Sequence, residues 1–200
     1  MKTAALCFGL VCFVLHASVW CLEPGKRPSS PAAEFGTFRG QVGAAQKSGT
    51  VVPATSATVY VMYASGTYGR RTYDTDTDTA GRHFTEELHK LLGPLNKQMK
   101  ELTKDRRADV IARLYLAATD QALAATTEFV TRHPQKAWQV RTIEPDAEGF
   151  WSAEGLKPGG YAILVRGAIA GHDADWEGSV DVDRGQTISV PLTTPRFFRL

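Results

Sequence analysis

The stretch from Thr142 to Arg166, TIEPDAEGFWSAEGLKPGGYAILVR, constrains this chain more than any other, because it sets two turns, a plug residue and an alternating strand close together. Pro145 and the run Asp146-Ala147-Glu148-Gly149 predict a turn: Gly149 takes positive φ without a Cβ clash, and the short acidic side chains can bond nearby backbone amides. Lys157-Pro158-Gly159-Gly160 predicts a second turn, with proline presetting one φ and glycine supplying the next. A strand then starts at Tyr161. A period of two puts Tyr161, Ile163 and Val165 on one face and Ala162, Leu164 and Arg166 on the other. Leu156, between polar neighbours, is expected to plug the end of a two-layer β structure.

Asp146-x-x-Gly149-Phe150, then Gly155-Leu156-x-Pro158-Gly159-x-Tyr161 and the alternating strand resemble the signature of the carboxypeptidase regulatory-like domains, small transthyretin-like antiparallel β-sandwiches. Upstream, Gly36 to Val42, Val51 to Ala54 and Ala57 to Val61 are similar to that family's opening strands, and a Trp176–Leu192 hairpin resembles its closing pair. The resemblance covers 36–63 and about 137–195 and implies a sandwich of Ig-like or transthyretin-like type. It implies a non-catalytic module and brings no catalytic residue with it.

About 70 residues between Tyr63 and the expected strand containing Trp138, Val140 and Thr142 depart from that pattern, so 64–136 reads as an insertion. Leu88, Leu91, Leu92, Leu95, Met99 and Leu102 make a helical apolar stripe, with Thr85 as the expected N-cap and Glu86 and Glu87 in the first turn. Gly93-Pro94 is expected to kink or restart this helix. A second helix, capped within Thr103 to Asp105, carries Val110, Ile111, Leu114, Ala118, Ala122, Ala125 and Phe129 and stops at Arg132-His133-Pro134. A single helix over Thr85–Arg132 would be roughly 70 Å long, so a helical hairpin over about 85–132 is predicted. The fold class is therefore mainly β with an α insertion between early and later strands.

The chain is 43% apolar and 22% charged with a formal charge of +2, which is globular and provides no bulk field for nucleic acid or an anionic membrane. Lys2 followed by the apolar run to Leu15 reads as a secretory signal over 1–21, with no transmembrane helix expected after its removal. Residues 22–35, with Pro24, Pro28 and Pro31, read as a flexible tether. Cys7, Cys12 and Cys21 all lie in the leader, so a mature sandwich without disulfides in a secreted, periplasmic or cell-envelope setting is expected. The ending from Pro195 to Leu200 is expected to pack on the body.

Asp74, Asp76 and Asp78 are the metal candidates. Carboxylates at period two share one side of an extended chain, and the D-x-D-x-D spacing resembles the start of a calcium loop, although Thr79 replaces its glycine and Thr85 its bidentate glutamate. A solvated acidic strand is the competing reading, and no other cofactor is implied. His83, His89, His133 and His172 have no metal-ligand spacing, and no G-x-S-x-G or mature cysteine supplies a nucleophile. Tyr60, Tyr63, Tyr68, Tyr73, Trp138, Trp151 and Trp176 serve either as a sugar-stacking platform or as ordinary core. Lys90, Lys97, Lys100, Lys104, Arg106 and Arg107 are interleaved with Glu86, Glu87, Glu101, Asp105 and Asp109, as on a solvated helix face. The expected function is a non-catalytic exported binding or structural module, with a protein partner on the helical insert; carbohydrate binding and calcium-stabilised adhesion are the alternatives.

Overall fold

The computed structural model describes residues 34–104, 107–195 and 197–198. The expected leader, most of the tether, all three cysteines and the Asp105 and Arg106 positions lie outside them. The described chain is a β-sandwich carrying a helical hairpin on one face.

The larger sheet follows from strands that are apolar on both faces. In β4 (Thr55–Ser65), Ala57, Val59, Val61 and Tyr63 enter the sandwich core, while Met62 and Tyr60 face the other way. In β9 (Gly159–Ile169), Tyr161, Ile163 and Val165 enter the same core, and Leu164 and Ala162 face outward with Met62. Both outward sets are covered by α1 (Ala80–Lys104) and α2 (Ala108–Arg132), whose Phe84, Leu88, Ala118 and Ala122 complete a second core. Arg166, the polar member of the outward set of β9, is held by a two-pronged ion pair with Asp120 of α2 at 2.9 and 3.1 Å. Buried Tyr115 of α2 donates to Glu177 of β10 (His172–Val182).

With β7 (Val140–Ile143) and β12 (Phe197–Phe198), the larger sheet has the order β12-β10-β9-β4-β7, and all its pairs are antiparallel. Opposite it lies a three-stranded sheet in which β1 (Gly36–Gln41) runs between β8 (Phe150–Leu156) and β11 (Thr187–Ser189). Two small hairpins complete the strands: β2 (Gly43–Ala45) with β3 (Val51–Pro53), and β5 (Thr67–Tyr68) with β6 (Arg71–Thr72). Trp176 donates from Nε1 to the Gly43 carbonyl at 3.0 Å, tying β10 to the facing layer. On the open side, Arg141 of β7 reaches across to the Glu154 and Gly155 carbonyls of β8 at 2.6 and 3.1 Å.

Six expectations are corrected. Trp176 to Leu192 is not a hairpin: after the Asp183–Gln186 turn, β11 leaves β10 and pairs with β1 in parallel, where Ile188 and Val190 pack on the sandwich core. β10 begins at His172, so His172, Asp173 and fully buried Asp175 lie in a strand. Trp138 lies in a 3-10 helix over Pro134–Gln139 that precedes β7. Helix α1 starts at Ala80, whose amide donates to the buried Gln139 side chain at 2.9 Å, while Thr85 donates to the Gly81 carbonyl from inside the helix.

Pro94 also lies within α1 and neither ends nor restarts it. Lys90 and Pro94 are exposed, so water can serve the carbonyl left without an amide. Thr103 lies within α1 and bonds back to Met99, and α2 follows Arg107 without a side-chain cap.

Ala170 and Gly171 join β9 to β10, both at positive φ, +49° and +80°, the two-residue geometry that fits the twist of a hairpin. Alanine is strained there, and its side chain is exposed. Ala170→Asn is expected to raise stability by about 0.5–1 kcal/mol, measured by urea denaturation; an unchanged or lower midpoint would count against strain at this turn.

Candidate functional site

The hairpin covers one face of the molecule, and among the described residues no such layer lies on the outer face of the three-stranded sheet. Alternation on β1 sends Phe38 and Val42 into the core and turns Arg39 and Gln41 outward. On β8, Trp151 and Ala153 go in while Phe150, Ser152 and Glu154 go out. Ser189 on β11 and the following Pro191 complete the surface. Together Arg39, Gln41, Phe150, Ser152, Ser189 and Pro191, with Gly40, Asp146 and part of Trp151, line an open groove of about 600 Å³.

Register fixes the order across this groove. Arg39 stands opposite Ser152 on one side and Ser189 on the other, which makes a polar row. Two residues along β1, Gln41 stands opposite Phe150.

The turn before β8 holds Phe150 in place: Asp146 Oδ1 accepts from the amides of Glu148 and Phe150 at 3.1 and 2.7 Å. Gly149, at φ +82°, sits so close to β1 that a Cβ would lie 2.4 Å from the Val42 carbonyl oxygen. Gln41 closes the turn from the other side by donating to the Glu148 carbonyl at 3.0 Å. Below the floor, the Trp151 indole fills the space left by Gly40, where a Cβ would lie 2.7 Å from Nε1.

Phe150 is 54% exposed, more than Phe35 at 43%, the other large exposed hydrophobic residue among those described. The aromatics singled out in the sequence are placed elsewhere. Tyr63, Trp151 and Trp176 are buried core residues, and Tyr60 packs against the second core. Trp138 rests on Tyr63 and is overlain by Lys157, whose Nζ is 3.7 Å from the ring centroid. Tyr73 donates to Asp183, and half-buried Tyr68 belongs to the β5–β6 hairpin. The signal that could have found Phe150 is the same alternation: once Trp151 enters the core, Phe150 must leave it.

Asp74, Asp76 and Asp78 lie on the strap leading into α1. Asp74 and Asp76 each accept the amide two residues on, at 2.9 Å. The Lys136 ammonium sits 3.3 Å from Asp76 and 3.0 Å from Asp78, and also donates to the Asp78 carbonyl. Burial pulls the Asp76 pKa upward, but the Asp78 amide, Lys136 and Gln139 outweigh it and hold it below 3.8. Beneath the strap, burial, then the charges of Asp74 and Asp76, push the Tyr63 phenol up to about 12.

His83 stacks on Phe129 at 4.7 Å, His133 contacts the Phe129 carbonyl, and exposed His89 borders a crevice between α1 and the sheet. Among the described residues, no group of three or more His, Cys, Asp or Glu side chains could hold a metal ion.

The strap is also tied to the sandwich through Asp183, which accepts from Tyr73 and Arg71. The Tyr73 hydrogen bond, then the Arg184 amide, hold its carboxyl below the ordinary 3.8 against the opposing effect of burial. Lowered folded-state values mean stability that is complete above the unfolded pKa and lost as pH falls through the folded one. Melting temperature is expected to drop between about pH 5 and pH 3, and Asp183→Asn to melt lower at neutral pH with a smaller further drop in acid. An identical acid profile for the variant would exclude Asp183 as a contributor.

No family model matches the chain, and no curated protein matches it. Among solved structures, it is similar to a "putative carbohydrate binding protein" of Pseudomonas aeruginosa, with 14% identity and a TM-score of 0.36 over 82% of this chain and 92% of that one. It is also similar to the pilus backbone of Streptococcus pneumoniae, with 13% identity and a TM-score of 0.30 over 80% of this chain and 40% of that one. Likeness this loose carries no argument about what the groove binds. Among the described residues, no helix is long and apolar enough to cross a membrane.

Proposed function

We propose that the chain is an exported, non-catalytic carbohydrate-binding module of the carboxypeptidase regulatory-like type, with the groove on the three-stranded sheet as its recognition surface. The observation that carries this reading is Phe150: a large aromatic ring kept 54% exposed on a rigid strand, beside hydrogen-bonding side chains, in a groove of about 600 Å³. A flat apolar ring matches the C–H face of a pyranose, and Gln41, Ser152, Ser189 and Arg39 offer partners to its hydroxyls. The volume suits one or two sugar units. A leader ahead of the tether, read from the sequence, supports export.

The lining chemistry supports binding over catalysis. Among the described residues, no histidine, lysine or cysteine lines the groove, and the Asp146 oxygen nearest the turn is occupied by two backbone amides. The hairpin stripe from Phe84 to Leu92 is spent on the larger sheet, which favours the opposite face over the insert as the recognition surface.

The test is glycan-array binding of the mature protein, followed by titration of the best saccharide against wild type and Phe150→Ala. Loss of the ring is expected to weaken binding about tenfold or more, with unchanged circular dichroism because the side chain is exposed. Undiminished binding by the variant, or no saccharide bound by the wild type, would overturn the reading.

A further inference from the structure

We propose that the saccharide recognised is anionic, carrying a carboxylate or a sulfate, and that Arg39 is the residue that reads the charge; this rests on the saccharide reading of the same groove. Arg39 lies on the central strand of the floor, between Ser152 and Ser189 in register, with each neighbouring strand ~4.8 Å away. A guanidinium offers five N–H donors in a planar fork and no acceptor, and each flanking hydroxyl adds another donor. A carboxylate or sulfate accepts from that fork through two oxygens at once, a charge-assisted geometry that a single neutral hydroxyl cannot match.

In the free protein, Arg39 meets Glu154 across 3.7 Å, with both side chains about two-thirds exposed, at 66% and 70%. An exposed pair of this length contributes little, so an incoming anion can displace Glu154. Among the described residues that line the groove, Asp146 supplies the one carboxylate, and it lies beside Phe150 with its Oδ1 engaged by backbone amides. The neighbouring row supplies Phe150 and Gln41 for the ring, about 7 Å along the strand from Arg39, within reach of a substituent on a stacked sugar.

The experiment titrates the mature protein with three oligosaccharides of equal length: an oligogalacturonate, its fully methyl-esterified counterpart, and a sulfated oligosaccharide, each at low and at physiological salt. At least one anionic ligand is expected to bind about tenfold more tightly than the neutral ester, and salt should weaken only the anionic complexes. Comparison of the carboxylated and sulfated arms identifies the group. Arg39→Gln is expected to abolish this preference while keeping binding to the ester, Arg39→Lys to keep part of it, and Glu154→Gln to strengthen anionic binding.

Equal affinity of wild type for charged and neutral ligands, or a preference that survives Arg39→Gln, would overturn the inference. Neutral binding that is lost in Phe150→Ala would then leave the saccharide reading standing. Failure of all three ligands and of the glycan array would remove both.

Discussion

Burial of both faces of the larger sheet is the constraint on which the rest of this structure depends. The central strands β4 and β9 have apolar residues on both sides: Val59, Val61, Ile163 and Val165 toward one core, Met62 and Leu164 toward the other. A sandwich covers only one side of a sheet, so without a further layer Met62 and Leu164 would meet water. The insertion between β4 and β7 supplies that layer. Each fully buried side chain of this size contributes roughly 1.5–3 kcal/mol, so the hairpin is part of the folding unit as well as an addition to it. The Arg166–Asp120 pair and the Tyr115–Glu177 hydrogen bond set where it sits.

Covering one sheet leaves the other free, and this asymmetry organises the molecule. On the three-stranded sheet, the inward residues are as apolar as elsewhere, while the outward residues include Arg39, Gln41, Ser152, Glu154 and Ser189 with one aromatic, Phe150. The groove rests on a floor fixed by the Asp146 turn and by the indole packed under Gly40, so its side chains project from strands rather than from loops.

The parts of this fold legible in the sequence are those whose causes are local. The turns around Asp146–Gly149 and Lys157–Gly160, the alternation of β4 and β9, and the pairing of two helices follow from glycine, proline and apolar spacing. What escaped had distant causes. Helix α1 starts at Ala80 because Gln139, 59 positions later, accepts its amide, and no local cap announces that. β11 leaves β10 for β1, a strand near the other end of the described chain, and no local pattern announces that pairing. The site was missed for a related reason: seven tyrosines and tryptophans attracted attention, while the exposed ring is a phenylalanine whose outward direction follows from its buried neighbour Trp151.

Arg141 closes one end of an otherwise open sheet edge. β8 is an edge strand, and an edge with free carbonyls is a template on which a second chain can add its own strand. Phe150 and Ser152, toward the start of this strand, are exposed and border the groove. One guanidinium, reaching from the facing sheet to the Glu154 and Gly155 carbonyls, occupies acceptors at the far end of the strand and leaves the groove end clear. A strand adding to this edge would have to displace that guanidinium before it could pair at this end of the seven-residue β8.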